Sequence, residues 1–250
     1  MAKNSPPLPG GASASPPSLA SQVEGTVPRA IDTPLAQMAN DAYATPDANG
    51  VTGTQSEKDL TKAGWTRVQP GEVMTTADGR QVTLDASLLR DDSTGFQAAV
   101  YKNASNQYVV AYTGTNAGND WTQANIPQGL GMQTQQYEQA QALAKKMVAT
   151  HGVDNVAFTG HSLGGGLAQA GILATDGRGV TFNAAGLSND TMRDLGYGNP
   201  NELRAQYADN GHVRSYSVQG DEVLRGDPLT IANHVAAPHT LGPELRMKPT

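Results

Sequence analysis

The sequence lacks cysteine altogether, has few aromatic residues and contains no long apolar run. The absence of cysteine excludes a disulfide scaffold, a thiol nucleophile and a cysteine-ligated zinc site. Aromatic residues make up 5% of the chain while glycine occurs 28 times, which favours helices packed closely on a sheet over a core of large rings. No apolar stretch is long enough to span a bilayer, so we expect no transmembrane segment.

Positive charge is also scarce, because the 250 residues carry a formal net charge of −6 and no basic run. The cluster of Lys and Arg that binds the phosphates of nucleic acid is therefore missing, and we expect no nucleic-acid partner. The same balance argues against electrostatic adhesion to anionic membranes. The first twenty residues lack the continuous apolar core of a Sec signal. We expect synthesis in the cytoplasm and, for a protein that leaves the cell, export by a dedicated secretion system.

Residues 1–30 differ in composition from the rest of the chain. They are rich in Pro, Gly, Ser and Ala. Such a segment buries too little apolar surface to offset its ordering entropy. We therefore predict a disordered leader, either a simple tail or a docking or secretion element, followed by one domain over residues 31–250. The abrupt ending at residues 248–250 leaves room for a longer native chain with a delivery module.

From residue 32 onward, patterns typical of helices and strands alternate. Asp32 is predicted to cap a helix with a proline early in its first turn. The alternation that follows indicates an α/β fold with a mostly parallel central sheet and helices on both faces. The predicted elements are a hairpin of 96–101 and 108–112, a helix over 133–150, a strand at 156–159, a helix over 164–176, and strands at 180–184 and 213–218.

The segment Gly160-His161-Ser162-Leu163-Gly164 matches the pattern Gly-x-Ser-x-Gly. This pattern is short, so its context decides. A nucleophilic serine needs a strand that turns sharply into a helix, with glycines where side chains would clash. An apolar strand precedes Ser162 and a helix of small residues follows it. The context favours Ser162 as a nucleophile over an idle serine in a glycine-rich turn.

A serine nucleophile needs a histidine base, and the chain has five histidines. The ring of His161 is expected to point away from the serine proton. His151 and His212 fall at the opposite edge of the predicted sheet. His234 and His239 remain, and both follow the strand that ends at residue 218. We favour His239 because it lies in a rigid, turn-like setting, Pro238 to Gly242.

The carboxylate that orients the base is expected at the carboxyl end of a strand, where α/β active sites gather. Asp221 follows the strand at 213–218 and precedes His239, which gives the chain order Ser, Asp, His. Asp227 is the second candidate and Glu222 a distant third. An ordinary Gly-Asp turn is the alternative role of Asp221.

Two donors are needed for the oxyanion of the reaction. The backbone N–H of Leu163 is one candidate, and Thr115, in the loop after the strand at 108–112, is the other. The loop over residues 116–132 carries Trp121 and Ile126, which are candidates to line the acyl site together with His161. The alternative for this loop is a plain surface connection.

Several of these motifs together resemble class 3 (fungal-type) lipases over roughly residues 32–244. The matching segments are Leu35 to Tyr43, Tyr112-Thr113-Gly114-Thr115 with Asp120-Trp121, Gly160 to Gly165, Thr181 to Gly186, Asp221-Glu222-Val223 and His239 to Glu244. The resemblance implies the α/β-hydrolase fold, ester hydrolysis and a Ser162–Asp221–His239 triad with oxyanion donors at Thr115 and Leu163. Thr113 departs from the family, which has an arginine there.

The resemblance further implies a carboxylic ester hydrolase that acts on lipids, with an A-type phospholipase as the leading hypothesis. A triglyceride lipase or small-ester esterase is the alternative within the fold, and a non-catalytic binding module the alternative outside catalysis. The combined features also resemble bacterial phospholipase effectors delivered into rival cells. The expected partners are a lipid or phospholipid, a transiently contacted membrane surface, and an immunity or secretion protein. No cofactor or metal motif is present.

Overall fold

The computed structural model describes residues 16–114, 126–218 and 240–247. Ten strands occur in these ranges: β1 (Trp65–Arg67), β2 (Val73–Thr75), β3 (Gln81–Thr83), β4 (Arg90–Asp91), β5 (Phe96–Asn103), β6 (Tyr108–Tyr112), β7 (Val156–His161), β8 (Arg178–Phe182), β9 (Val213–Val218) and β10 (Glu244–Met247). The helices are α1 (Leu19–Val23), α2 (Asp32–Asp41), α3 (Gln55–Lys62), α4 (Ile126–His151), α5 (Leu163–Thr175), α6 (Asn189–Asp194) and α7 (Pro200–Asp209).

The central sheet has the strand order β1-β5-β6-β7-β8-β9-β10, with β4 paired to the first two residues of β5. Strands β5 and β6 form the predicted hairpin, and every pairing from β6 to β10 is parallel. The helices α4 and α5 connect β6 to β7 and β7 to β8. The prediction of an α/β fold with a mostly parallel sheet is confirmed.

Strand β6 shows how the two faces of this sheet are covered. All five of its residues are buried, as a strand with helices on both faces requires. Tyr108, Val110 and Tyr112 pack in the larger apolar cluster with residues of α4 and α5. Val109 and Ala111 pack in the second cluster with residues of α1 and α2. Helices therefore cover both faces, as the sequence predicts.

Part of the predicted disordered leader is folded, so that prediction is wrong for the residues around α1. Ser18 caps α1 by accepting a hydrogen bond from the Ser21 backbone nitrogen. Leu19 and Val23 are fully buried in the second apolar cluster. The free energy gained by burying these side chains offsets the entropy cost of ordering the segment. Composition alone does not show this burial. Residues 1–15 of the leader lie outside the described residues.

The prediction that Asp32 caps α2 is wrong. Asp32 forms a buried ion pair instead. It is the first residue of the helix, and the residue before it makes no side-chain cap. Its carboxylate accepts hydrogen bonds from the guanidinium of Arg214 and from the Tyr216 hydroxyl, the latter at 2.7 Å. Arg214 also donates to the carbonyls of Val23 and Gly25. One fully buried guanidinium thus joins β9 to the start of α2 and the end of α1.

Helix α4 begins earlier than predicted. The sequence predicts a loop up to residue 132 and a helix from 133, whereas α4 starts at Ile126. Pro127 is the second residue of α4, where a missing N–H costs nothing because the first turn has no internal acceptor for it. Gly129 and Gly131 weaken a helix by only about 1 kcal/mol each. Neither glycine is therefore enough to stop it.

His151, at the end of α4, is a buried histidine with a structural role. Its ring stacks on Tyr108 with 3.9 Å between ring centroids, and its Nδ1 atom lies 2.9 Å from the Thr75 carbonyl oxygen. Its Nε2 atom is buried and has no hydrogen-bond partner among the residues that the structure describes. Burial lowers the pKa of His151, and the Thr75 carbonyl partly opposes this effect.

Arg214→Met tests the buried ion pair. The substitution leaves the Asp32 carboxylate in the interior with its guanidinium partner removed, so the free energy of unfolding should fall by about 3 to 5 kcal/mol. Urea unfolding measures this loss. Arg193→Met is the matched control, because the Arg193–Asp190 pair is exposed and its removal should leave the urea midpoint nearly unchanged. Equal, small losses in both variants would show that the buried pair contributes little.

His151→Phe tests the buried histidine, since it keeps a ring against Tyr108 and removes the titrating group. The Thr75 carbonyl retains the Tyr108 hydroxyl as a donor at 3.1 Å. In the wild type, the unfolded state takes up a proton near the ordinary histidine pKa of about 6.5, while the folded state resists it. Stability should therefore fall as the pH drops below about 6.5, and less steeply in His151→Phe. Urea unfolding across this pH range is the measurement; parallel curves for the two proteins contradict the expectation.

Candidate active site

Ser162 lies at the sharp turn between β7 and α5. Its backbone has φ 56° and ψ −129°, and residues other than glycine rarely adopt a positive φ. The Ser162 nitrogen donates to the Phe182 carbonyl at 3.2 Å, and its carbonyl accepts from the nitrogens of Gly165 and Ala185 at 3.0 and 2.9 Å. These bonds hold the strained residue from both sides. The predicted strand–turn–helix context of the serine is confirmed.

The glycines around Ser162 allow the first turn of α5 to approach the sheet. A Cβ atom on Gly160 would overlap the Gly164 carbonyl, and a Cβ on Gly164 would overlap the carbonyl of Tyr112 in β6. A Cβ on Gly165 would overlap the side chain of Ala184. The helix therefore enters between the ends of two strands, and no larger residue fits at these positions without moving the backbone.

The backbone nitrogen of Leu163 is placed to donate to an oxyanion. Leu163 is the first residue of α5, where N–H groups have no acceptor within the helix and the helix dipole favours negative charge. Gly114, after β6, lies beside it: a Cβ on Gly114 would be 3.5 Å from the Leu163 nitrogen. Thr115, the predicted second donor, is the next residue and lies outside the described residues.

The nitrogen of Gly114 is already used. It donates to the Tyr43 hydroxyl at 2.7 Å, and that hydroxyl donates in turn to the His161 carbonyl at 3.2 Å. Burial raises the pKa of Tyr43, and the Gly114 N–H partly opposes this effect. The ring of Tyr43 also meets the ring of His161 edge-on, with 6.3 Å between centroids. Tyr43 therefore contacts both loops that meet at the serine.

Strand β9 ends at the same edge of the sheet as Ser162. Tyr216 is paired with Phe182, and Phe182 with His161, so β9 reaches the level of the serine at its carboxyl end. Asp221 follows Val218 by three positions and lies outside the described residues, as do the alternatives Asp227 and Glu222. The structure thus describes the strand that leads to the predicted carboxylate and not the carboxylate itself.

Both candidate bases, His234 and His239, also lie outside the described residues, but the chain just after His239 is described. Leu241 is fully buried, and its backbone nitrogen donates to the Gln169 side-chain oxygen in α5 at 3.0 Å. The Ser215 hydroxyl donates to the Leu241 carbonyl at 3.2 Å. Leu241 is therefore fixed between α5 and β9.

Of the three proposed substrate contacts, the structure describes the side chain of one. Trp121 lies outside the described residues. Ile126 is the first residue of α4, and its side chain is outside the described part. His161 has a described ring, which lies beside Tyr43.

The sequence indicated no role for Tyr43 or Gln169. Tyr43 ends the segment that resembles the family's first helix, but a tyrosine after a helix gives no signal that its hydroxyl reaches residue 114.

Two further features of the described ranges bear on function. No helix in them is both long and apolar enough to cross a membrane. Within the same ranges, histidine and carboxylate side chains form no group of three or more that could hold a metal ion.

Comparison with known proteins gives matches of three kinds. A family model for the Tle-like phospholipase domain matches residues 34–237. The extracellular phospholipase A1 of Serratia liquefaciens is 45% identical over 138 residues, which are 55% of this chain and 42% of that protein. This chain therefore spans less than half the length of that relative.

Among solved structures, a mutant form of MDLA from Penicillium cyclopium is 16% identical, with a TM-score of 0.49 over 88% of this chain and 80% of that one. A puromycin hydrolase is 13% identical, with a TM-score of 0.32 over 78% of this chain and 36% of that one. The family model covers well over half of the sequence, from the first turn of α2 to beyond β9. The chain belongs to the Tle-like phospholipase domain family.

Proposed function

We propose that this chain is the catalytic domain of an A-type phospholipase, in which Ser162 attacks a carboxylic ester of a phospholipid. The observation that carries the proposal is the strained Ser162 at the β7–α5 turn, in a chain of the Tle-like phospholipase domain family. The name of the Serratia relative, a phospholipase A1, supports the same substrate class and bond.

In the proposed mechanism, the Ser162 hydroxyl oxygen attacks the acyl carbon while His239 takes its proton and Asp221 orients the imidazole. The carbonyl oxygen becomes an oxyanion that accepts hydrogen bonds from the Leu163 N–H and from Thr115. His239 then donates its proton to the leaving alkoxide, and a lysophospholipid departs. Water, activated by the same histidine, releases the fatty acid and restores the serine.

The lipid contacts of this proposal come from the start of α4 and the segment before it. Trp121 and Ile126 are the proposed contacts for the acyl chain, with His161 at its ester end. A phospholipid presents its ester at a membrane surface, so the domain must touch that surface transiently. Because the net charge is −6, we expect this contact to depend on apolar side chains more than on attraction to anionic headgroups.

We further propose that the whole protein acts outside the cell that makes it, as an effector against rival cells. The relative from Serratia is named as extracellular, which supports secretion. A cell that produces a phospholipase attacking membranes of its own kind needs protection. This role therefore calls for an immunity protein that binds the enzyme and a secretion partner that exports it.

The position of Leu241 sets a condition on the proposal that His239 is the base. Leu241 is bound by Gln169, seven residues after Ser162 in α5, which corresponds to a rise of about 10 Å along the helix. Two residues span at most about 7 Å, so the His239 proposal requires that residues 239–241 run toward the serine. His234 has five more residues of reach, which keeps it the alternative.

Ser162→Ala tests the nucleophile. Turnover of a mixed-chain phosphatidylcholine should fall by about a thousandfold or more, because no other group replaces the attacking oxygen. Mass spectrometry of the released fatty acids measures the rate and shows which acyl position is cut. The exposed Ser105 provides a control, since Ser105→Ala should keep wild-type turnover. Cleavage of triolein but not of the phospholipid would favour the lipase alternative, and undiminished activity of Ser162→Ala would refute the assignment.

His239→Ala and His234→Ala, compared side by side, test the base. Loss of the base should lower kcat by about a thousandfold or more with the fold retained, so we expect this loss in His239→Ala and at most a few-fold change in His234→Ala. Hydrolysis of a short p-nitrophenyl ester reports kcat, and urea midpoints report the fold. The reverse pattern would assign the base to His234. Full activity in both variants would remove both from the mechanism.

A further inference from the structure

The hydroxyl of Tyr43 joins the two loops that border the proposed oxyanion site. It accepts from the Gly114 nitrogen at 2.7 Å and donates to the His161 carbonyl at 3.2 Å. Gly114 belongs to the segment that leads from β6 to Thr115, and His161 is the residue before the nucleophile. The two proposed oxyanion donors, at Leu163 and Thr115, are therefore each within two residues of a backbone group bound by this one hydroxyl.

We propose that Tyr43 is a positioning residue for the oxyanion hole, which sets the distance between the donor loop after β6 and the N-terminus of α5. The inference rests on the proposed function, because it takes Ser162 as the nucleophile. It assigns to Tyr43 no contact with the substrate. Its hydroxyl acts through Gly114 and His161.

The backbone on both sides of Tyr43 is held firmly enough for this role. Gln97 donates from its side-chain amide to the Ala42 carbonyl at 3.0 Å, and Arg67 donates to the Ala44 carbonyl at 3.0 Å. The carbonyl of the same Gln97 accepts from the nitrogen and the hydroxyl of Thr113, each at 3.1 Å. Gln97 and Tyr43 thus form two neighbouring ties between the same segments, residues 42–44 and 113–114.

The hydrogen bonds of Tyr43 bear on catalysis because an oxyanion is stabilised only by donors at the right distance. Because the Gly114 N–H is bound to Tyr43, it is not a donor for the oxyanion, and Thr115 stays the donor that we propose from this segment. Oxyanion donors act when they lie about 2.7 to 3.1 Å from the oxygen in the transition state. A displaced loop would weaken this bond without changing how the ester binds beforehand, so kcat should suffer and KM should not.

Tyr43→Phe in the full chain tests the proposal, with Tyr112→Phe as the matched control. The Tyr112 hydroxyl is also buried, but it donates to the Ala140 carbonyl at 2.9 Å, on the α4 side of the sheet. With a short p-nitrophenyl ester, we expect Tyr43→Phe to lower kcat by about tenfold or more, short of the hundredfold or larger loss seen when a donor is deleted. KM should stay within about twofold, and Tyr112→Phe should keep the wild-type kcat.

A second readout separates positioning from general loosening. The same assay with the matching O-aryl thionoester replaces the oxyanion by a larger sulfur anion, which an oxyanion hole accommodates poorly. The preference for ester over thionoester should therefore shrink in Tyr43→Phe and remain unchanged in Tyr112→Phe. An unchanged preference and kcat in Tyr43→Phe, or equal losses in both variants, would overturn the proposal.

Labelling with a fluorophosphonate shows whether the underlying function or the inference has failed. If the wild type does not react at Ser162, the proposed function fails and the inference with it. If the wild type reacts at Ser162 and Tyr43→Phe reacts at the same rate, only the positioning role is overturned. We expect wild type and Tyr112→Phe to react at similar rates and Tyr43→Phe to react more slowly, with all three proteins unfolding cooperatively in urea.

Discussion

Ser162 holds a backbone conformation with positive φ that costs on the order of 1 to 3 kcal/mol, and much of the surrounding structure serves to keep it there. Its nitrogen and carbonyl are bound to Phe182, Gly165 and Ala185, so β8, the segment after it and α5 must all be in register with the turn. Gly164 must also touch the end of β6. The Ser162 turn is thus supported by two strands and a helix, which is the rigid setting that the proposed chemistry requires.

The face of the sheet that α1 and α2 cover depends on a charged residue, Arg214, where an apolar one would be expected. The Arg214 guanidinium donates four hydrogen bonds, two to the carboxylate of Asp32 and one each to the carbonyls of Val23 and Gly25. A buried charge of this kind is tolerated only when it is paired and hydrogen-bonded. It fixes the start of α2 against β9, and α2 in turn leads to Tyr43 at the catalytic edge.

The sequence predicts the parts of the molecule that follow from local patterns. The hairpin, the buried strand at β7 and the glycine-bounded turn at Ser162 were each indicated by residue types within a few positions. The Arg214–Asp32 pair and the Tyr43–Gly114 bond could not be found in this way, because they join residues far apart in the chain. Strand β9 is instructive: its alternation of apolar and polar residues is typical of a face in water, yet Arg214 and Ser215 are buried in hydrogen-bonded networks.

The same limit explains the errors at the N-terminus and at α4. Composition predicts that residues 1–30 stay unfolded, because composition does not show that Leu19 and Val23 pack against strands far along the chain. A helix can start at Ile126 because Pro127 falls in its first turn, although the glycines and the proline of this segment are typical of a loop. Of the candidate site, the strand–turn–helix setting of Ser162 and Leu163 could be predicted from the motif, and their catalytic roles stay proposals, as do those of Asp221 and His239, which lie outside the described residues.

The separation of Asp32 and Arg214 along the chain, 182 residues, has a consequence for how the protein is made. At about 5 to 20 residues per second, a ribosome adds the arginine roughly 9 to 36 seconds after the aspartate. During that interval α1 and α2 have no partner for their buried carboxylate, and the sheet face that they cover is incomplete. The native packing of α1 and α2 can therefore be completed only after β9 has been synthesised.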